Sequence, residues 1–103
     1  MKNLYNRLDK LYCISYYYNN MIDKKTKILR ALGHPARLMM AKGLMSNECH
    51  VDKIVKKLKL PQSTVSQHLG VLKSAGIIKG ERRGVKVCYR VVDPLAQKLL
   101  ELL

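Results

Sequence analysis

A mainly α fold carrying one small β-hairpin is what this 103-residue sequence predicts, on three observations. Ile54, Val55 and Leu58 fall on one face of a short helix. Leu60-Pro61 ends it, because the residue before a proline is pushed out of the α region. Val65, Leu69 and Leu72 recur at i, i+4 and i+7 and give a second helix its own buried stripe. Val85, Val87, Tyr89 and Val91 then alternate at period 2 behind a glycine-flanked basic turn, the pattern of a hairpin with that face inward. Two helices, a tight turn and a hairpin make a winged helix-turn-helix. Apolar surplus on the first and last helices makes the expected unit dimeric.

Near the start of the second helix, Gln62, Ser63, Thr64, Ser66 and Gln67 are left facing outward. All are hydrogen-bonding and none is acidic. In a helix-turn-helix this helix lies in the major groove, where amides and hydroxyls read base edges and phosphates. The turn Gly80-Glu81-Arg82-Arg83-Gly84 is then a wing, with Arg82, Arg83 and nearby Lys86 reaching phosphates or the minor groove.

The totals agree with that partner. Twenty Lys+Arg against seven Asp+Glu leave a formal charge of +13. A polyanion is the simplest account of so much self-repulsion, and nucleic acid is the commonest polyanion. The length fits one domain. No apolar run approaches the roughly 18 residues that span a bilayer. MKNLYNRLDKLY carries charges where a signal peptide needs an apolar block, so the chain reads as cytoplasmic with no membrane partner. Cys13, Cys49 and Cys88 are an odd number, against a secreted disulfide scaffold. No CxxC pair is present, which excludes a thioredoxin motif or a zinc ribbon.

Residues 1–22 form an N-terminal Tyr-rich helix or extension. Leu4, Leu8 and Leu11, with Tyr5 and Tyr12, make a helical stripe that Tyr16-Tyr17-Tyr18 and Asn19-Asn20 end. Tyrosine supplies large amphipathic contact area, so a dimer contact is expected there. Residues 23–103 are the winged helix-turn-helix domain. Asp23 caps a helix through Ile28, Leu29 and Leu32, with Gly33 as the stop. Pro35 opens the next helix, which carries Leu38, Met39, Ala41 and Leu44 and ends near Ser46-Asn47. Arg37 is a surface residue or phosphate contact, and His34 a loop or cap residue. Glu48-Cys49-His50-Val51 is a short extended stub beside the wing, and Asp52 caps the following helix. Ser74-Ala75-Gly76 closes the second helix of the pair; Ile77 to Lys79 and Val85 to Val91 are the strands. Asp93-Pro94 caps a last helix with Leu95, Leu99 and Leu102 on one face and Leu100 and Leu103 beside them, a dimerisation helix.

In this order of elements the chain resembles the ArsR/SmtB family of winged-helix repressors over about residues 24–103. The matching stretches are Ala31-Leu-Gly-His-Pro-Ala-Arg-Leu38, Gln62-Ser-Thr-Val-Ser-Gln-His-Leu69, Leu72-Lys-Ser-Ala-Gly-Ile77, Arg83-Gly84 and Val87-Cys-Tyr89. The resemblance implies a dimeric repressor that leaves its operator on sensing a metal ion or a thiol-reactive signal. His68 matches the family's usual histidine in the recognition helix, read as structural or phosphate-facing. The soft-metal Cys-Val-Cys pattern falls here on His50-Val51-Asp52, so neither cysteine is present. Asp93 to Leu103 contains no histidine, against the zinc variant, and no cysteine, against the family's two-cysteine oxidant sensors.

Cys49, Cys88 and His50 remain as sensing candidates. By alternation Cys88 shares a face with Lys86 and Arg90, opposite Val87 and Tyr89, whereas Cys49 lies on the face of Val51. His50 is then on the face of Cys88, a partial Cys/His metal site. A disulfide needs Cα atoms within about 7 Å and converging Cβ vectors, which opposite faces deny unless the stub is twisted. The remaining alternative is that Cys49 is a small core residue and Cys88 a half-exposed one. No cofactor is implied beyond a metal ion, itself one alternative. The expected function is a sequence-specific repressor bound to double-stranded operator DNA as a homodimer, released by a thiol-reactive or metal signal. The alternatives are a winged-helix regulator with structural cysteines and no effector, or a basic protein-binding module. An enzyme is not expected, since no carboxylate–His–nucleophile arrangement is recognisable.

Overall fold

The computed structural model describes residues 21–46 and 51–103. Residues 21–32 are helical (α1), followed by α2 (Pro35–Ser46), α3 (Val51–Leu58), α4 (Gln62–Ser74), β1 (Ile78–Arg83), β2 (Lys86–Val91) and α5 (Pro94–Leu102). Expectations for Cys13, for the tyrosine run, and for Cys49 and His50 of the stub lie outside the described residues.

α1 is already helical at Met21, so Asp23 sits within the helix and does not cap it. Its buried stripe is Ile28, Ala31 and Leu32, while Leu29 faces out. α2 does begin at Pro35, and the His34 Nδ1 accepts the Ala36 N–H at 3.1 Å, a side-chain cap. The helix buries Ala36, Met40, Ala41 and Leu44; Met39 is 55% exposed. Two adjacent methionines cannot both face inward on a helix, and composition alone does not choose between them. Gly43 lets α3 approach closely: a Cβ there would stand 2.5 Å from the Ile54 Cδ1. Asp52 is the second residue of α3, inside its first turn, and so does not cap it as expected.

Lys59, with φ of 52°, and Leu60-Pro61 turn the chain into α4. Val65 and Leu72 are fully buried and Leu69 partly so, as the i, i+4, i+7 pattern predicts. α4 closes as a Schellman motif. The Gly76 N–H, at φ +76°, donates to the Lys73 carbonyl (2.9 Å) and the Ile77 N–H to that of Leu72 (3.0 Å).

β1 and β2 pair antiparallel from Ile78↔Val91 to Arg83↔Lys86, around the two-residue turn Gly84-Val85 with Gly84 at φ +66°. The first strand is therefore longer than expected, and Glu81, Arg82 and Arg83 are strand residues rather than a loop, while the second begins one residue later, at Lys86. Strict alternation also fails. Val85 is 99% and Val87 44% exposed, whereas Cys88 is 4% exposed. The hairpin's outer half leaves Val85 and Val87 largely uncovered, bordering only an open crevice beside α4. Its base, around Cys88 and Val91, is covered, with α2 packed on β2.

The Asp93 side chain caps α5 by accepting the Ala96 N–H at 2.9 Å, with Pro94 at the first helical position. The buried residues of α5 are Ala96 and Leu100; Leu95 and Leu99 are half-buried and Leu102 is exposed. One core joins all these elements, built on Ile28, Met40, Leu44, Val65, Leu72 and Ile77.

Candidate nucleic-acid interface

The seam of Val65, Leu69 and Leu72 fixes which side of α4 meets solvent. Gln62, Ser63, Ser66 and Gln67 are exposed along it. Thr64 is half-buried and stands apart from that row, contrary to the expectation. His68 is also half-buried and packs across to the α1–α2 turn, its ring centroid 4.5 Å from that of His34. The Arg37 Nη1 lies 3.4 Å from its Nδ1. Burial first, then the His34 ring and the Arg37 guanidinium, hold the His68 pKa below its ordinary value of 6.5.

Arg82, Arg83 and Lys86 are exposed on the wing, with Arg83 and Lys86 opposite each other at its end. The Arg83 Nη2 lies 3.7 Å from the Glu81 carboxylate, a solvent-exposed pair. Helix and wing meet over a crevice of about 320 Å³ lined by Gln62 and Ser66 on one side and Val85, Lys86 and Val87 on the other. The structure therefore brings the start of α4 and the wing together on one surface, as the motif order predicts.

Two basic features were not singled out from sequence. Lys53, Lys56 and Lys57 lie on the exposed side of α3, with Lys59 beyond them. The signal was present, since 53, 56 and 57 share a helix face by i, i+3, i+4 spacing. The second is a groove of about 680 Å³ between α1 and α4, bordered by Lys27, Arg30, Arg37 and Gln67. No spacing rule joins residues so far apart in the chain.

Cys88 is disulfide-bonded and buried, which corrects its expected half-exposed position. A sulfur in a disulfide has no thiolate to offer a metal, so Cys88 is no metal ligand in this state. Among the described residues no three His, Cys, Asp or Glu side chains cluster as a metal site.

Residues 34–79, from the α1–α2 turn through the recognition helix, match the family described as "Bacterial regulatory protein, arsR family". A transcriptional regulator of the helix-turn-helix type from Methanocaldococcus jannaschii is 41% identical over 81 residues, 78% of this chain and 91% of the relative. The chain belongs to the ArsR family. ArsR-family members are DNA-binding transcription regulators. The biofilm growth-associated repressor of Agrobacterium fabrum is 42% identical over 76 residues, 74% of this chain and 65% of that protein. Among solved structures, the homodimeric winged helix-turn-helix DNA-binding domain Mb0332 of Mycobacterium bovis superposes with a TM-score of 0.72. It is 26% identical and the match covers 82% of this chain and 78% of the other. The ArsR winged helix-turn-helix is thus the fold of this chain. No helix among the described residues is long and apolar enough to cross a membrane.

Proposed function

We propose that this ArsR-family chain is a homodimeric operator-binding repressor, released from DNA by oxidation of Cys88 to a disulfide. The observation that carries the DNA reading is the exposed polar row Gln62, Ser63, Ser66 and Gln67 beside a wing bearing Arg82, Arg83 and Lys86. Amides and hydroxyls on α4 read base edges and phosphates, while the wing cations hold phosphates beside them. Thr64 and His68 act at the margin, Thr64 toward a phosphate and His68 through its packing.

Dimerisation is supported by apolar side chains left uncovered on α1 (Met21, Ile22, Leu29) and at the end of α5 (Leu102, Leu103). A second copy covering them sets two recognition helices on successive major-groove faces.

For the signal, Cys88 stands in β2 two residues before Arg90 and two after Lys86, opposite Glu81. Closing the disulfide joins two sulfurs and passes two electrons and two protons to a peroxide or persulfide. The cross-link then restrains the base of the wing at Cys88. Thiol–disulfide exchange with a small dithiol reverses it.

The test is operator affinity of the dithiothreitol-reduced chain, the oxidised chain and Cys88→Ser. Reduced chain and Cys88→Ser are expected to bind alike, and the oxidised chain about tenfold more weakly. Equal affinity in all three would leave Cys88 a packing residue and remove the thiol signal, with DNA binding unaffected.

A further inference from the structure

The recognition helix begins without a side-chain cap, since Pro61 occupies that position. Its buried side chains Val65 and Leu72 both reach into one core and set which side of the helix faces solvent, and a contact on its flank adds a second, polar constraint on its roll. His68, next in sequence to Gln67, is gripped on that flank. The His34 ring lies against it, and the Arg37 guanidinium approaches its Nδ1. Arg37 is itself anchored. Its Nε donates to the Ala31 carbonyl at 2.6 Å and its Nη2 to the Arg30 carbonyl at 3.3 Å. Those are among the last carbonyls of α1, the end of a helix that favours a cation, and the Arg30 carbonyl also accepts the Gly33 N–H at 3.2 Å.

We infer that Arg37 is a positioning residue for base reading: it ties the end of α1 to the recognition helix through His68 and fixes the roll that aims Ser66 and Gln67. This rests on the repressor reading above. A planar fork is required, because three acceptors in different directions are met by one guanidinium and not by a lysine ammonium. Arg37 only donates, so the His68 Nδ1 accepts and the ring proton sits on Nε2. The brace therefore works with neutral His68, and protonation replaces the acceptor with a cation facing the guanidinium. The titratable or charged groups around that ring are His34 from the turn and Arg37 from α2. α1 supplies the two carbonyls, with Lys27 and Arg30 bordering the adjoining groove.

The probe is a duplex enriched from a random-sequence pool by the wild-type chain, compared with its scrambled counterpart. Arg37→Lys and Arg37→Ala are each expected to weaken the enriched duplex about tenfold and the scrambled one less than about twofold. The dependence of log K on log salt stays unchanged. His68→Asn keeps a carbonyl acceptor near the Nδ1 position and cannot titrate. It is expected to retain wild-type discrimination at about pH 7.5 and to lose the wild type's decline toward about pH 5.5. A direct phosphate contact by Arg37 gives the opposite pattern: Arg37→Lys harmless, Arg37→Ala weakening both duplexes alike, and a salt slope smaller by about one. That result overturns the brace and leaves the repressor intact. A pool from which the wild type enriches nothing overturns the repressor reading itself.

Discussion

Gln67 and Arg83 are both exposed and polar, yet they should fail differently when removed. Gln67→Ala should cost about 1–3 kcal/mol of discrimination between operator and random DNA, the worth of one bidentate base contact. Arg83→Ala should weaken both duplexes about equally; gel-shift titrations against each separate the two. His68 bears on stability as well. Its folded pKa is lowered, so the unfolded chain binds more protons as pH falls below 6.5. The stability it contributes is full above that value and is lost as pH drops through the folded value. Urea midpoints at about pH 7.5 and pH 5 should therefore diverge more for wild type than for His68→Asn. Several residue assignments were legible in advance: His34 as a cap, Pro35 at a helix start, and the outward Gln62, Ser63, Ser66 and Gln67. Thr64 and the link between Arg37 and His68 were not. The first depends on the exact roll of α4, and the second joins side chains 31 residues apart.

Element boundaries followed local chemistry where that chemistry is strong. Asp93 caps α5 as its Asp-Pro sequence predicts, and Asp93→Ala should lower unfolding stability by about 1 kcal/mol. The Schellman glycine is a second case. Gly76 holds a positive φ with open space around its Cβ position, so Gly76→Ala tests backbone strain alone. A loss of about 1 kcal/mol is expected from thermal or urea unfolding. Reading failed where tertiary cover decides. The apolar alternation from Val85 to Val91 predicts one buried face, but the outer hairpin leaves Val85 and Val87 exposed. Its valines are exposed while Cys88, at the covered base, is not. Which apolar residues of α1 and α2 are buried was not legible for the same reason. Leu29 and Met39 are apolar and helical, and only the packing of α1 to α5 turns them outward.

For the molecule as a whole, the charge of +13 is distributed over α3, the wing and the α1–α4 groove as well as α4. The winged helix-turn-helix was readable from motif order, because that order sets which elements share a surface. The burial of Cys88 was not, since its expected face rested on the alternation that failed. Many phosphate contacts imply that log K falls with log salt at about 0.9 per contact, with a slope steeper than about −5 for a dimer. Sedimentation should give a dimer, weakened by Leu102→Glu at the exposed end of α5.

The most direct measurement is the base preference of the wild-type chain and of Gln67→Ala, obtained by selection from one randomised duplex pool. Wild type should enrich a two-fold symmetric site, and Gln67→Ala should relax the preference at one base pair in each half-site. An identical preference for both proteins would contradict major-groove reading by the exposed row of α4.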